Sequence, residues 1–230
     1  MTNFNTLQSI GEIVSILPKA SEVFRKYNID FCCGGNRPLS AAIKEQDLNE
    51  AEIMQKLEEA YHQTRELSTK NNFREMKSSE LIDYIVNTHH AYLRRALPET
   101  GELISKVLRA HGANHQELFN VHKLFNALRT ELEQHLIKEE ELLFPLISKN
   151  DLTPSKELQS QIFKVLKESE DEHEGAGDIL KELRKITEGY SVPDDGCKSY
   201  ILAYSMLQEI EGDLFEHIHL ENNILFKRYE

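Results

Sequence analysis

Apolar residues recur at helical spacing along most of the chain. In its first part, TLQSIGEIVSIL, KASEVFRKYNI and PLSAAIKEQ predict three short helices, the first stopped at Pro18 and the third opened by Pro38 in its first turn. A longer fourth helix is predicted over NEAEIMQKLEEAYHQTREL. The polar stretch STKNNFREMKSS then breaks the pattern and sets a domain boundary near residues 68–77. Beyond it come four long periodic segments, roughly 78–97, 115–148, 155–189 and 195–228, with a short helix around 99–111. Alternating runs of β-branched and aromatic residues are nearly absent, so strands are not expected. The pattern predicts an all-α chain: a small helical N-terminal domain over residues 1–70, then an antiparallel four-helix bundle over 78–230.

Composition narrows the function classes. The chain has 230 residues, 40% hydrophobic and 29% charged, enough for one large or two small cores and too apolar for disorder. Its net charge of −12 argues against nucleic acid, which needs clustered Lys and Arg. The start, MTNFNTLQSIGEIVSIL, lacks a basic region and carries Glu12 within its apolar stretch, so neither a signal peptide nor a membrane span is expected, and the cytoplasm is the default compartment. The acid excess is uneven: eight basic residues stand against ten acidic ones up to residue 72, and nineteen against twenty-nine after it. Most of these carboxylates suit a solvated helix surface; metal binding is one use for the rest.

The bundle segments carry the chemistry. HLIKEEELLFP at 135–145 and HIHLENNILFK at 217–227 align without gaps, matching His with His, Glu with Glu and Phe with Phe. His135 with Glu139, and His217 with Glu221, are four residues apart, one helical turn, so each pair projects from one face. Leu142, Leu143, Leu225 and Phe226 continue near that face and direct the pairs toward the core. The other two long helices each offer a histidine, His173 in EDEHEGAG and His90 or His89 in NTHHAYL. The separations His90 to His135 and His173 to His217 are 45 and 44 residues, so the chain reads as two similar hairpins, and this even spacing selects His90 over His89. A lone i,i+4 His/Glu pair is an ordinary surface contact worth ~0.2–0.5 kcal/mol. Two such pairs in matching context, with two more histidines, form a ligand set for two metals, with iron or manganese favoured over a thiolate-loving ion. His62, His111, His115, His122 and His219 lack such pairing; His219 is expected at the surface or behind the ligands. Glu140, Glu141 and Glu172 are expected to be mostly solvated, although Glu172 beside His173 is near enough to support a ligand.

The remaining signal is IDFCCGG at 29–35, which holds two of the chain's three cysteines. Cys32 and Cys33 are open to three readings: a disulfide, a metal ligand set or an exposed nucleophile. A disulfide between neighbours strains the peptide link. Gly34 and Gly35 permit a sharp turn with positive φ and a close approach, and a helix opening at Pro38 would put the thiols near its positive end, favouring reactive thiolates. Cys197, in PDDGCKSY, has no partner in sequence.

LPKASEVFRKYNIDFCCGG followed by HLIKEEELLFP and HIHLENNILF resembles the iron-sulfur cluster repair di-iron proteins, the repair-of-iron-centres family. The resemblance covers nearly the whole chain. It implies a small cysteine-containing domain joined to a hemerythrin-like bundle, and a non-haem centre of two iron ions bridged by two carboxylates and an oxo or hydroxo group. Position by position, the family's metal histidines fall on His90, His135, His173 and His217, its bridging glutamates on Glu139 and Glu221, and its cysteine pair, as redox or transfer thiols, on Cys32 and Cys33. It further implies a cytoplasmic protein, often a homodimer, whose partners are iron-sulfur proteins damaged by nitrosative or oxidative stress, with nitric oxide as a possible ligand. The second repeat departs from the first, ending in Phe226-Lys227 where the first has Phe144-Pro145. Two other readings stay open: a di-iron enzyme reducing nitric oxide or peroxide, and a hemerythrin-like oxygen or iron binder.

Overall fold

The computed structural model describes residues 4–66 and 72–230. Part of the expected boundary at 68–77 therefore lies outside the described residues. Among the described residues the fold is helical, with one isolated antiparallel bridge between Ser9 and Pro38. The helices are α1 (Ile10–Ile16), α2 (Ala20–Lys26), α3 (Leu39–Glu45), α4 (Glu50–Glu66), α5 (Ser78–Ile85), α6 (Ala91–His111), α7 (Glu117–Lys138), α8 (Phe144–Leu152), α9 (Lys156–Ile186) and α10 (Lys198–Leu220). Three π-helical turns interrupt or extend them: π1 (Val86–His90), π2 (Glu139–Leu143) and π3 (Glu221–Leu225). No helix is long and apolar enough to cross a membrane.

The chain packs as two units, Met1–Leu81 with Phe215–Glu230, and Ile82–Leu214. In the first unit, Ser9 caps α1 by accepting the Glu12 N–H, and Pro38, in extended conformation, precedes α3. Ile10, Ile13, Leu17, Phe24, Ile29, Phe31, Leu39, Ile43, Ile53 and Leu57 form its core, with Phe215 packed against it. Sequence order puts residues 215–230 with the bundle segment, yet their side chains fasten to the first unit. The Asn223 amide donates to the Phe31 and Cys32 carbonyls, and Tyr229 donates to Ser78 Oγ.

The second unit is a four-helix bundle. Its rods are α6 with π1 and the end of α5, the run α7–π2–α8, α9, and α10 up to Leu214. Helix α7 packs on both α6 and α9. The connections from α6 to α7 and from α8 to α9 are short, as the sequence pattern requires of antiparallel neighbours. The turn after α9 holds Glu188, Gly189 and Tyr190 at φ of 50°, 74° and 64°. The expected break between 97 and 99 is not found: α6 runs through Pro98. An interior proline forfeits one backbone bond and crowds the turn before it. Here the buried face of Leu93, Leu97, Ile104 and Val107 keeps the rod continuous against that cost.

Candidate metal centre

Three of the six predicted ligands sit in the π turns. His90 ends π1, Glu139 opens π2 and Glu221 opens π3. In each turn the wider loop is closed by a bond five residues long: Ala91 N–H to the Val86 carbonyl, Phe144 N–H to Glu139, and Phe226 N–H to Glu221. The internal repeat therefore extends from sequence to backbone conformation. One inserted residue shifts the helical register of every position after it, and such turns gather at functional sites. It also corrects one expectation: Leu143, Leu225 and Phe226 are buried, but Leu142, inside π2, is 45% exposed.

Within the bundle unit, four predicted residues meet in the core. His90 and Glu139 are fully buried, and His135 and His173 nearly so. Glu139 Oε2 lies 3.4 Å from His135 Nε2 and 3.5 Å from His90 Nε2. The Nε2 atoms of His135 and His173 face each other at 3.0 Å. Donor atoms of His135, Glu139 and His173 all lie within 4.8 Å of one another. In the other unit, His217 Nε2 lies 3.0 Å from Glu221 Oε1, both residues buried.

Two carboxylates hold the rings: Glu140, expected to be solvated, is partly buried, and Glu172 is exposed as expected but supports His135 rather than its neighbour His173. His90 Nδ1 lies 2.7 Å from Glu140, whose second oxygen takes a 2.7 Å bond from Arg94. His135 Nδ1 lies 2.7 Å from Glu172, which Lys138 also reaches at 2.7 Å. With Nδ1–H donating outward, each ring turns the lone pair of Nε2 inward, the tautomer a metal requires. The bond from His135, aided by Lys138, pulls the Glu172 carboxyl down to about 2 against partial burial. Partial burial works to raise Glu140, but bonds from Arg94 and His90 hold it below the ordinary range. His89, the rival of His90, points to Asp213 instead, at 2.9 Å.

A carboxylate with no solvent exposure is costly to keep ionised unless a cation or several donors compensate it. Imidazole and carboxylate donors are the set that iron or manganese takes. The donor chemistry of the bundle core thus fits a metal, and His90, His135, Glu139 and His173 are the bundle residues that would hold it.

Comparison with known proteins agrees with this geometry. Residues 81–229 match the hemerythrin HHE cation binding domain, and residues 6–61 match a domain of unknown function, DUF542. The chain is 36% identical over 224 residues to the iron-sulfur cluster repair protein YtfE of Pectobacterium carotovorum subsp. carotovorum (strain PC1). It is 30% identical over 220 residues to the iron-sulfur cluster repair protein ScdA of Staphylococcus haemolyticus (strain JCSC1435), and 35% over 221 residues to a probable iron-sulfur cluster repair protein of Haemophilus influenzae. Each alignment covers 96% of both chains. The chain belongs to the iron-sulfur cluster repair protein family.

The cysteine motif of this family member differs from the sequence expectation. Cys32 and Cys33 are not joined by a disulfide: their sulfurs are 3.7 Å apart. Cys32 is buried, and its bond to Cys33 together with desolvation pushes its thiol well above the ordinary range. The expected activation of this thiol at a helix end is therefore not found. The anion at the turn is Asp30, whose Oδ1 accepts from the N–H of Cys32 at 3.2 Å and of Gly34 at 3.1 Å. Gly34 and Gly35 do not adopt positive φ; they serve close approach. A Cβ on Gly35 would stand 2.5 Å from the Phe31 carbonyl and 2.6 Å from Asn223 Oδ1. His219 is not at the surface either: it is buried, burial lowers it to about 4, and its ring packs edge-on against Phe31.

The supporting pairs, Glu140 with His90 and Glu172 with His135, could not be found from spacing. They join residues 50 and 37 positions apart on different rods. Only Glu172, adjacent to His173, gave a sequence hint.

Proposed function

We propose that His90, His135, Glu139, His173, His217 and Glu221 together hold two iron ions, with Glu139 and Glu221 bridging, and that the chain supports the repair of iron-sulfur clusters damaged by nitrosative or oxidative stress. The observation that carries this reading is the set of inward-facing Nε2 donors around Glu139, each outward nitrogen of His90 and His135 held by a carboxylate. The repeat supports adding His217 and Glu221, since they stand in relation to π3 as His135 and Glu139 stand to π2. Relatives named as cluster repair proteins over the full length support the cellular task.

Iron held by such donors supplies redox chemistry and affinity for small diatomic ligands. The chain's part is to bury the site, fix the imidazole tautomers through Glu140 and Glu172, and keep Arg94 and Lys138 outside, paired to those carboxylates. Cys32 and Cys33 are assigned to transfer or reduction in the small domain. Clients are damaged iron-sulfur proteins, with nitric oxide as a ligand, in the cytoplasm; a homodimer fits the reading. The match to a hemerythrin domain favours one alternative, a binder of oxygen or iron in which the cysteines are dispensable.

Anaerobic purification with iron quantification tests the proposal. Two irons per chain are expected, falling sharply in His135→Ala and Glu139→Ala. Less than one iron per chain, unchanged by those substitutions, refutes it. Retained repair of a damaged cluster by Cys32→Ala/Cys33→Ala, with loss in the ligand variants, selects the binder alternative.

A further inference from the structure

The cysteine turn has the makings of a metal site of its own, independent of whether the bundle holds iron. Asp30, Cys32 and Cys33 each offer a donor atom, and the three atoms lie within 4.8 Å of one another. The sulfurs are 3.7 Å apart, and Cys32 Sγ is 3.2 Å from Asp30 Oδ1. Two sulfurs bound to one tetrahedral ion at ~2.3 Å are separated by about 3.8 Å, the edge of that tetrahedron. The spacing in the turn is therefore already that of a ligand pair, with no backbone movement required. Covalent bonding would instead demand ~2.05 Å between the sulfurs.

The surroundings keep the turn in this shape. Asn223 Nδ2 donates to the carbonyls of Phe31 at 3.3 Å and Cys32 at 3.1 Å. The N–H groups of Cys32 and Gly34 fix the Asp30 carboxylate beside the sulfurs. The lack of a side chain at Gly35 lets the backbone close against Phe31 and Asn223. Cys32 is sealed inside, whereas Cys33 and Asp30 are partly exposed, which leaves an entry from solvent. Such preorganisation is what a metal site needs before the ion arrives.

We propose that Asp30, Cys32 and Cys33 bind one divalent ion of tetrahedral preference, such as zinc or ferrous iron, through two thiolates and a carboxylate, with solvent completing the shell. Binding releases the protons of both thiols as the two metal–sulfur bonds form, with no change of oxidation state. This gives the small domain a task as a metal-holding module rather than only a nucleophile.

The test uses full-length, reduced, metal-free protein titrated anaerobically with cobalt(II). The expected result is a near-ultraviolet thiolate-to-cobalt charge-transfer band, absent from Cys32→Ser and Cys33→Ser, weakened at least several-fold in affinity in Asp30→Asn, and intact in Cys197→Ser. The band should persist in His135→Ala, which separates this site from the bundle. A second measurement guards against misfolded variants: zinc X-ray absorption on wild-type protein should show two sulfurs at ~2.3 Å. Absence of the band in wild-type protein at saturating cobalt, its loss in Cys197→Ser, or a zinc shell without sulfur would each overturn the proposal.

Discussion

Replacing Glu172 isolates what an outward-facing carboxylate does for a histidine ligand. Glu172→Gln keeps an acceptor for His135 Nδ1 but removes the charge and the ion pair with Lys138, while Glu172→Ala removes both. A charged hydrogen bond is worth ~1.5–3 kcal/mol and a neutral one ~0.5–1.5 kcal/mol, so the Gln change costs roughly 1 kcal/mol at this bond. The depression of the Glu172 carboxyl to about 2 argues for the upper part of that range, but its side chain is 46% exposed. Solvent screening therefore brings the loss back to about 1 kcal/mol. At ~1.4 kcal/mol per tenfold, Glu172→Gln should weaken metal binding by about fivefold. Glu172→Ala should weaken it by roughly 10- to 100-fold, the usual range for losing such a partner. Competition against a ferrous chelator under anaerobic conditions reads these ratios directly. Glu140→Gln, acting on His90 from a separate rod, should add to the Glu172 effect in the double variant. Iron affinity in Glu172→Ala within twofold of wild type would refute the supporting role.

The other expectations test packing and protonation elsewhere. Arg184 grips the buried Glu211 with two nitrogens, so Arg184→Met should cost about 3 kcal/mol by stranding that carboxylate, lowering Tm by roughly 6–12 °C, with Arg184→Met/Glu211→Met recovering most of the loss in a thermal scan. Gly35→Ala must push back the Phe31 carbonyl or the Asn223 amide, and should destabilise the first unit by ~1–3 kcal/mol in urea unfolding followed by a probe near the cysteine turn. Cys197 is exposed, and its bond to His111, the largest cause, lowers its thiol to about 7. Because alkylation follows the thiolate fraction, its labelling by iodoacetamide should rise as pH passes about 7, and His111→Ala should move that rise upward toward 9. Peptide mass mapping should find Cys32 labelled far more slowly, since its thiol is buried and pushed up. Labelling of Cys197 that starts only near pH 9 in wild type would contradict the His111 assignment.

What could be read from the sequence was whatever repeats along one helix. The periodic segments gave the rods to within a few residues because each apolar face must be covered, and His135/Glu139 and His217/Glu221 were visible because one turn separates partners on one rod. Relations across rods left no such trace. Glu140 looks like any surface acid in an acidic chain until the neighbouring helix brings His90 to it, and the position of Glu172 beside His173 does not tell that its partner is His135 on another rod. The π turns were equally hidden, since an extra residue within a helix has no residue-type signature, yet they decide which of Leu142 and Leu143 faces the core. Pro98 shows the converse: a strong local signal to stop was overruled by the packed face around it. The cysteine turn joins both cases. Its glycines were read as allowing both a positive φ and a close approach; the positive φ is not found, and the close approach at Gly35 is to the Phe31 carbonyl four residues back and to Asn223, 188 residues further along. A motif can thus announce that a geometry is constrained while part of the constraint is supplied by a side chain that no local window contains.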